Sequence, residues 1–184
     1  MRKILLTDLD GVILDWSGRF DEYLKMYSPT SKSMDPTVFE QTDDIAQHMI
    51  AFNRSAWIGY LEPLRDAREI LKNFKQDGWQ IFACTAMGYD PYSCSLRKKN
   101  IENLFPNIFD RVEMTAFGEP KHNWLSQWRN SGAVWVEDKW ANAIAGADFG
   151  LKTFLMKHSY NTKHDYQGVE KVDNWTQIYN KVTQ

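Results

Sequence analysis

Short apolar runs, each followed by a longer stretch of helical period, constrain this chain more than any other feature. Ile4–Leu9, Trp79–Cys84, Arg111–Thr115, Ala133–Val136 and Leu151–Met156 have the length and apolar character of strands covered on both faces. Between them, Leu64, Ala67, Ile70, Leu71 and Phe74 recur at helical spacing, which predicts a helix starting near Pro63 and stopping at Gly78. Further helices are predicted over Cys94–Leu104, Asn123–Arg129, Trp140–Ala145 and Trp175–Val182. Strands alternating with helices specify an α/β fold, a Rossmann-like three-layer sandwich around a central parallel sheet.

One segment breaks this rhythm. Residues 16–60 contain no clear strand but a helix near Phe20–Met26, the polar stretch Ser28–Ser33, and a longer helix with Asp35 as cap and Pro36 in its first position. An all-helical insertion after the first strand lies over that strand's C-terminal end, where open α/β sheets bind ligands. Residues 1–15 and 61–184 therefore read as a core, and 16–60 as a small helical cap.

The chain's chemistry sits at strand ends. Leu5-Leu6-Thr7-Asp8-Leu9-Asp10-Gly11-Val12 delivers two carboxylates two positions apart, on one face of a strand. Two such acids repel unless a cation or a proton intervenes, and a hard cation with oxygen ligands, most simply Mg²⁺, suits them. Ile81–Thr85 ends in a hydroxyl and a loop whose backbone N–H groups can meet a phosphate oxygen. Lys121 opens a helix, where a cation opposes the dipole and wants an anionic partner. Ala133–Asp138 again delivers acids, Glu137 and Asp138, with Asn142 four residues on. Each element alone has a bland explanation as a solvated turn or surface residue. Their order, Asp-x-Asp, Thr, Lys, Glu-Asp, does not.

These four elements resemble the motifs of the haloacid dehalogenase-like (HAD) superfamily of phosphohydrolases over nearly the whole chain. The resemblance implies Asp8 as nucleophile and Asp10 as the acid that protonates the leaving oxygen and then activates water. It implies Thr85, the backbone at Ala86, and Lys121 as phosphate-binding groups. Asp8, Asp10, Asp138 and Glu137 would hold Mg²⁺. A covalent aspartyl-phosphate divides the reaction into two easier displacements, and the cation and Lys121 neutralise the charge of the approaching dianion. Asp8–Val12 with Asp15-Trp16, Leu61-Glu62-Pro63-Leu64 and Phe82-Ala83-Cys84-Thr85 resemble more narrowly the 5'(3')-deoxyribonucleotidases. That family implies a deoxynucleoside monophosphate substrate, with Trp16, Phe52 and Trp57 as aromatic pocket residues for the base. Three departures stand: Ala86 where that family has Ser, Glu137 where it often has a second Asp, and a longer span from Lys121 to the last acids.

The composition narrows the partners. A net charge of −2 over 184 residues offers no broad basic field, so a small phosphate monoester is expected and long nucleic acid is not. The 14% aromatic content, with eight Trp, supplies both core and candidate stacking surfaces. Two cysteines, Cys84 and Cys94, are too few for a disulfide framework or a structural zinc site. With no long apolar stretch and no leader-like start, a cytoplasmic protein is expected. His158 and His164 fall in a polar stretch and read as surface-loop residues without function. Two rivals remain open: the same chemistry on a sugar phosphate or other small metabolite, and a phosphoacceptor signalling domain.

Overall fold

The structure is a computed structural model and describes residues 3–27 and 43–183. Six strands, β1 (Ile4–Thr7), β2 (Gln80–Thr85), β3 (Arg111–Met114), β4 (Val134–Glu137), β5 (Lys152–Met156) and β6 (Val169–Val172), form one sheet in the order β3-β2-β1-β4-β5-β6. All five pairings are parallel, with Leu6 opposite both Phe82 and Trp135. The sheet is α/β and Rossmann-like, as the alternating pattern predicts. The chain runs outward from β1 through β2 to β3, then returns to pair β4 on the other side of β1. The gap between the C-terminal ends of β1 and β4 is therefore a topological switch point, where such sheets open a crevice.

Side-chain alternation along β1 builds two cores. Leu5 packs with Phe74, Ile81, Val134, Phe154 and Trp175, whereas Ile4 and Leu6 pack with Trp124, Leu125, Trp135 and Phe149. Both faces are covered, by helices α3 (Ala67–Gln76), α4 (Pro91–Leu104), α5 (His122–Ser126), α6 (Trp140–Asp148) and α7 (Trp175–Thr183).

The differences from the sequence reading have local causes. Helix α3 begins at Ala67 rather than near Pro63, because Arg65 takes φ +51° and Pro63 instead bridges Leu14. Asp66 then caps the far helix α7, accepting from the Trp175 and Thr176 backbone N–H groups at 2.9 and 2.8 Å. Helix α4 gains three residues at its start, where Asp90 accepts from Ser93 N (2.8 Å) ahead of Pro91. Strand β6, Val-Glu-Lys-Val at the sheet edge, carries too little apolar character to register as a strand.

Within 16–60, the described residues are helical: α1 (Trp16–Tyr27), α2 (Asp43–Asn53) and a 3₁₀ turn over Ala56–Gly59. Asp15 N donates to Glu62 O at 2.9 Å, so the excursion leaves and rejoins the sheet at one point. The helix expected from Asp35 and Pro36 falls outside the described residues. Among the described residues, no helix is long and apolar enough to cross a membrane.

Candidate active site

Strand β1 delivers Asp8 into the switch-point crevice. Asp8 N still pairs with Val136 O (3.0 Å), which sets its carboxylate beside the acids that end β4. From Leu9 the chain coils tightly: the N–H groups of Ile13 and Leu14 both donate to Leu9 O at 2.9 Å, and Gly11 sits at φ +75°. Only glycine adopts that conformation cheaply. A Cβ there would also lie 2.5 Å from Asp138 Oδ2, so the glycine brings the two acid loops together.

Four charged groups meet below the crevice. Lys121 Nζ lies 2.6 Å from Asp8 Oδ2 and 2.9 Å from Glu137 Oε2, and is only 2% exposed. Its ammonium also sits over the Trp135 ring, 5.5 Å from the centroid. Lys121 is therefore at a helix start because buried carboxylates hold it there, which resolves the conflict with the helix dipole. Glu137 is fully buried. Its Oε2 takes the Lys121 ammonium, and its Oε1 accepts from the backbone N–H groups of Asp138 (3.3 Å) and Lys139 (3.1 Å).

Three carboxylates against one ammonium leave the cluster overcharged. Burial, and then the neighbouring Glu137, push the Asp8 carboxyl up to about 7, against the pull of Lys121. Burial likewise raises Glu137, and burial with the charge of Asp8 raises Asp138. For Lys121 burial works downward, but the two carboxylates outweigh it and hold its proton more tightly than usual. One oxygen from each of Asp8, Glu137 and Asp138 lies within 4.8 Å of the others. Asp138 Oδ1 is buried and finds no hydrogen-bond partner among the described residues. A buried, orphaned carboxylate oxygen within an overcharged oxygen set fits a hard divalent cation such as Mg²⁺.

Asp10 lines the same crevice but stands apart from that oxygen set. Its two oxygens accept from Arg97 Nη1 (2.5 Å) and Nη2 (3.2 Å) in a bidentate pair. The expected carboxylate pair at the end of β1 is thus split, because the strand stops at Thr7 and the coil turns Asp10 toward α4. Arg97 is fully buried on α4, in a run of mixed charge that gave no sequence signal.

The crevice widens into a cavity of about 630 Å³, a size suited to a small ligand. Thr85, Ala86, Lys121, Asp138 and Asn142 line it, so the elements expected to handle phosphate do share one site. Of the three expected pocket aromatics, Trp16 faces the cavity, its indole N–H donating to Asn53 Oδ1 at 2.9 Å. Phe52 does not. It is fully buried among Trp16, Phe20, Tyr23 and Trp57, and Trp57 packs against Phe52 and Tyr23 away from the cavity lining. These two rings build the helical layer that holds Trp16. Met49, Phe117, Trp140 and Tyr160 complete the apolar wall and escaped the sequence reading, since each comes from a different element.

The stretch expected to be a plain surface loop also reaches the site. His158 Nε2 lies 2.6 Å from Gly11 O; because a carbonyl only accepts, this nitrogen carries the proton. Burial holds the His158 ring below its ordinary proton affinity, in keeping with a neutral imidazole. His164 is exposed, edge-on to Trp140, as expected of a surface residue.

No family model matches the chain. A protein of 32.4 kDa from the Gp30-rIII intergenic region of Enterobacteria phage T4 is 29% identical over 133 residues, 66% of this chain and 48% of that protein. The match thus spans about half the length of that curated relative. Among solved structures, a haloacid dehalogenase-like family hydrolase from Streptococcus pneumoniae aligns with a TM-score of 0.71 and 12% identity over 98% of both chains. D,D-heptose 1,7-bisphosphate phosphatase from B. bronchiseptica, complexed with magnesium and phosphate, aligns with a TM-score of 0.66 and 13% identity, over 100% of this chain and 99% of that one. CbbY from Rhodobacter sphaeroides in complex with phosphate gives 0.63 and 13%, over 97% and 96%. The fold is that of the haloacid dehalogenase-like hydrolases.

Proposed function

We propose that the chain is a magnesium-dependent phosphomonoester hydrolase that works through an aspartyl-phosphate on Asp8, with a nucleoside monophosphate, deoxy or ribo, as its substrate. The observation that carries the reading is the buried Asp8–Lys121–Glu137–Asp138 cluster at the floor of a cavity that Trp16 helps to wall.

Lys121 and the Thr85 hydroxyl hold phosphoryl oxygens, with the backbone at Ala86 beside them. Glu137 anchors the Lys121 ammonium from behind, so that the cation stays at the phosphate rather than turning to solvent. An Asp8 oxygen attacks phosphorus, forming the Asp8–phosphoryl bond as the bond to the leaving oxygen breaks. Asp10, after taking up a proton and loosening its bidentate pair with Arg97 as substrate binds, gives that proton to the leaving oxygen. In the second half Asp10 takes a proton from water, whose oxygen displaces Asp8 and releases inorganic phosphate. Arg97 fixes where the Asp10 carboxyl stands. Asp8 and Asp138 would hold Mg²⁺, which when bound would supply the charge neutralisation that lets a carboxylate approach a dianionic phosphate.

The substrate reading rests on the cavity wall. Residues 16–60 act as a cap, and Trp16, with Met49, Phe117 and Trp140 around the same space, suits a planar base better than a small polyol. A sugar phosphate is the second reading. It is favoured because Phe52 and Trp57 withdraw from the cavity, and one structural neighbour is a heptose bisphosphate phosphatase.

A panel of nucleoside monophosphates and sugar phosphates, assayed for phosphate release with Mg²⁺ and with EDTA, tests both halves. Release confined to Mg²⁺ and fastest with nucleotides is expected. Preference for sugar phosphates removes the nucleotide claim, and turnover unaffected by EDTA removes the cation.

A further inference from the structure

After β5 the chain turns back over the C-terminal edge of the sheet through residues 157–161, and this turn grips both acid loops. Asn161 is almost fully buried; its Nδ2 donates to Asp138 O (2.7 Å) and Met156 O (2.8 Å), and its Oδ1 accepts from His158 N (2.8 Å). Trp140 Nε1 donates to Asn161 O at 2.8 Å, closing the turn from the side of α6. His158 holds Gly11 O, and its ring stacks on Tyr160 with centroids 5.0 Å apart and planes 5° from parallel. The Tyr160 hydroxyl donates to Asp138 Oδ2.

The two oxygens of Asp138 are thus unlike. Oδ2 is taken by Tyr160, whereas Oδ1 is buried without a partner among the described residues. A carboxylate free to spin would exchange them. One held by a phenol that is itself clamped between a stacked imidazole and the Gly11 loop would not. The Gly11 position confirms how tight the arrangement is: a Cβ there would lie 2.5 Å from Asp138 Oδ2 and 3.2 Å from the Tyr160 hydroxyl.

We propose that Tyr160 is a positioning residue for the divalent cation: its hydroxyl fixes the Asp138 carboxylate so that Oδ1 is kept for the ion. This rests on the cation-dependent reading of the site above. Groups behind a metal ligand that orient it in this way change metal affinity by about 10- to 100-fold when removed. His158 and Asn161 serve the same end indirectly, by holding the turn that carries the phenol.

The test is Tyr160→Phe, which removes one oxygen and keeps the ring that stacks on His158. Mn²⁺, which takes the same hard oxygen ligands as Mg²⁺, is titrated into the substrate-free protein, and the unbound ion is counted by electron paramagnetic resonance. Wild type is expected to bind one Mn²⁺, and Tyr160→Phe to bind it about 10- to 100-fold more weakly with the metal-free Tm unchanged. In an Asp138→Asn background the same change should cost nothing further, because there is no carboxylate left to orient. Equal Mn²⁺ affinity in wild type and Tyr160→Phe overturns the proposal and leaves the phosphatase reading standing. An additive loss in the Asp138→Asn background, or a loss that merely follows a collapsed metal-free Tm, also overturns it. A wild type that binds no Mn²⁺ at all overturns the cation-dependent reading and the proposal with it.

Discussion

Replacing the proposed nucleophile by its amide, Asp8→Asn, should abolish turnover and yet stabilise the metal-free fold. Without a cation, Asp8, Glu137 and Asp138 share a buried cluster with Lys121 as its ammonium. The Asp8 carboxyl stands at about 7 in the fold, against an ordinary 3.8, first because burial penalises its charge and then because Glu137 repels it. A raised carboxyl binds its proton more tightly folded than unfolded. Its contribution to stability is therefore fully present below the ordinary value and is lost as pH rises toward the folded one. With about 1.4 kcal/mol per pH unit, the loss is about 2 kcal/mol at pH 5 and about 4 kcal/mol at pH 8. Asparagine has no such charge to bury, so Asp8→Asn should exceed wild type by amounts of that order at the two pH values. Urea unfolding in EDTA at pH 5 and pH 8 measures both gaps. If Asp8→Asn is no more stable than wild type at pH 8, or if the gap does not narrow toward pH 5, the account of an overcharged cluster is wrong. Mg²⁺ should reverse the order, stabilising wild type more than the variant.

Three further outcomes are expected. Trp16→Ala should lower the ratio of nucleotide to sugar-phosphate kcat/KM by about tenfold, the worth of one stacked ring; an unchanged ratio would remove Trp16 from base recognition. Phe52→Ala should cost about 3–5 kcal/mol in urea unfolding, because it empties a fully enclosed site, while leaving that same ratio unmoved; a shifted ratio would return Phe52 to the pocket. Gly11→Ala should lower kcat/KM by about a hundredfold, because its Cβ meets Asp138 Oδ2 at 2.5 Å and its φ is +75°; near-normal kinetics would show that the acid loops need not touch.

Legibility followed how far apart the cooperating residues lie in the chain. The helical period from Ala67 to Phe74 is visible because it is written in adjacent turns, whereas the start of α3 is not, because Pro63 bridges Leu14 and Arg65 reaches the backbone carbonyls of Lys157 and Asp173 rather than its neighbours. Strand β6 gives no strand signal in the sequence because an edge strand draws its stability from pairing with β5 rather than from its own apolar content. The aromatics show the same limit. Trp16, Phe52 and Trp57 are chemically alike, and composition cannot say which of three rings turns to the cavity and which two pack beneath it.

By itself the sequence determined five of the sheet's strands and the order in which acid, hydroxyl, ammonium and acids leave them, because strand length, apolar character and terminal residue are local properties. It also placed Asp8 and Asp138 at strand ends, which in a parallel sheet means one edge. Only the tertiary structure decided the partners. Asp10 went to Arg97, Glu137 to Lys121, and Asp138 to Tyr160, across 87, 16 and 22 residues of chain. Those pairings follow from which side chains are left facing one another once the helices cover the sheet, and buried charge then binds whatever opposite charge or donor that packing supplies.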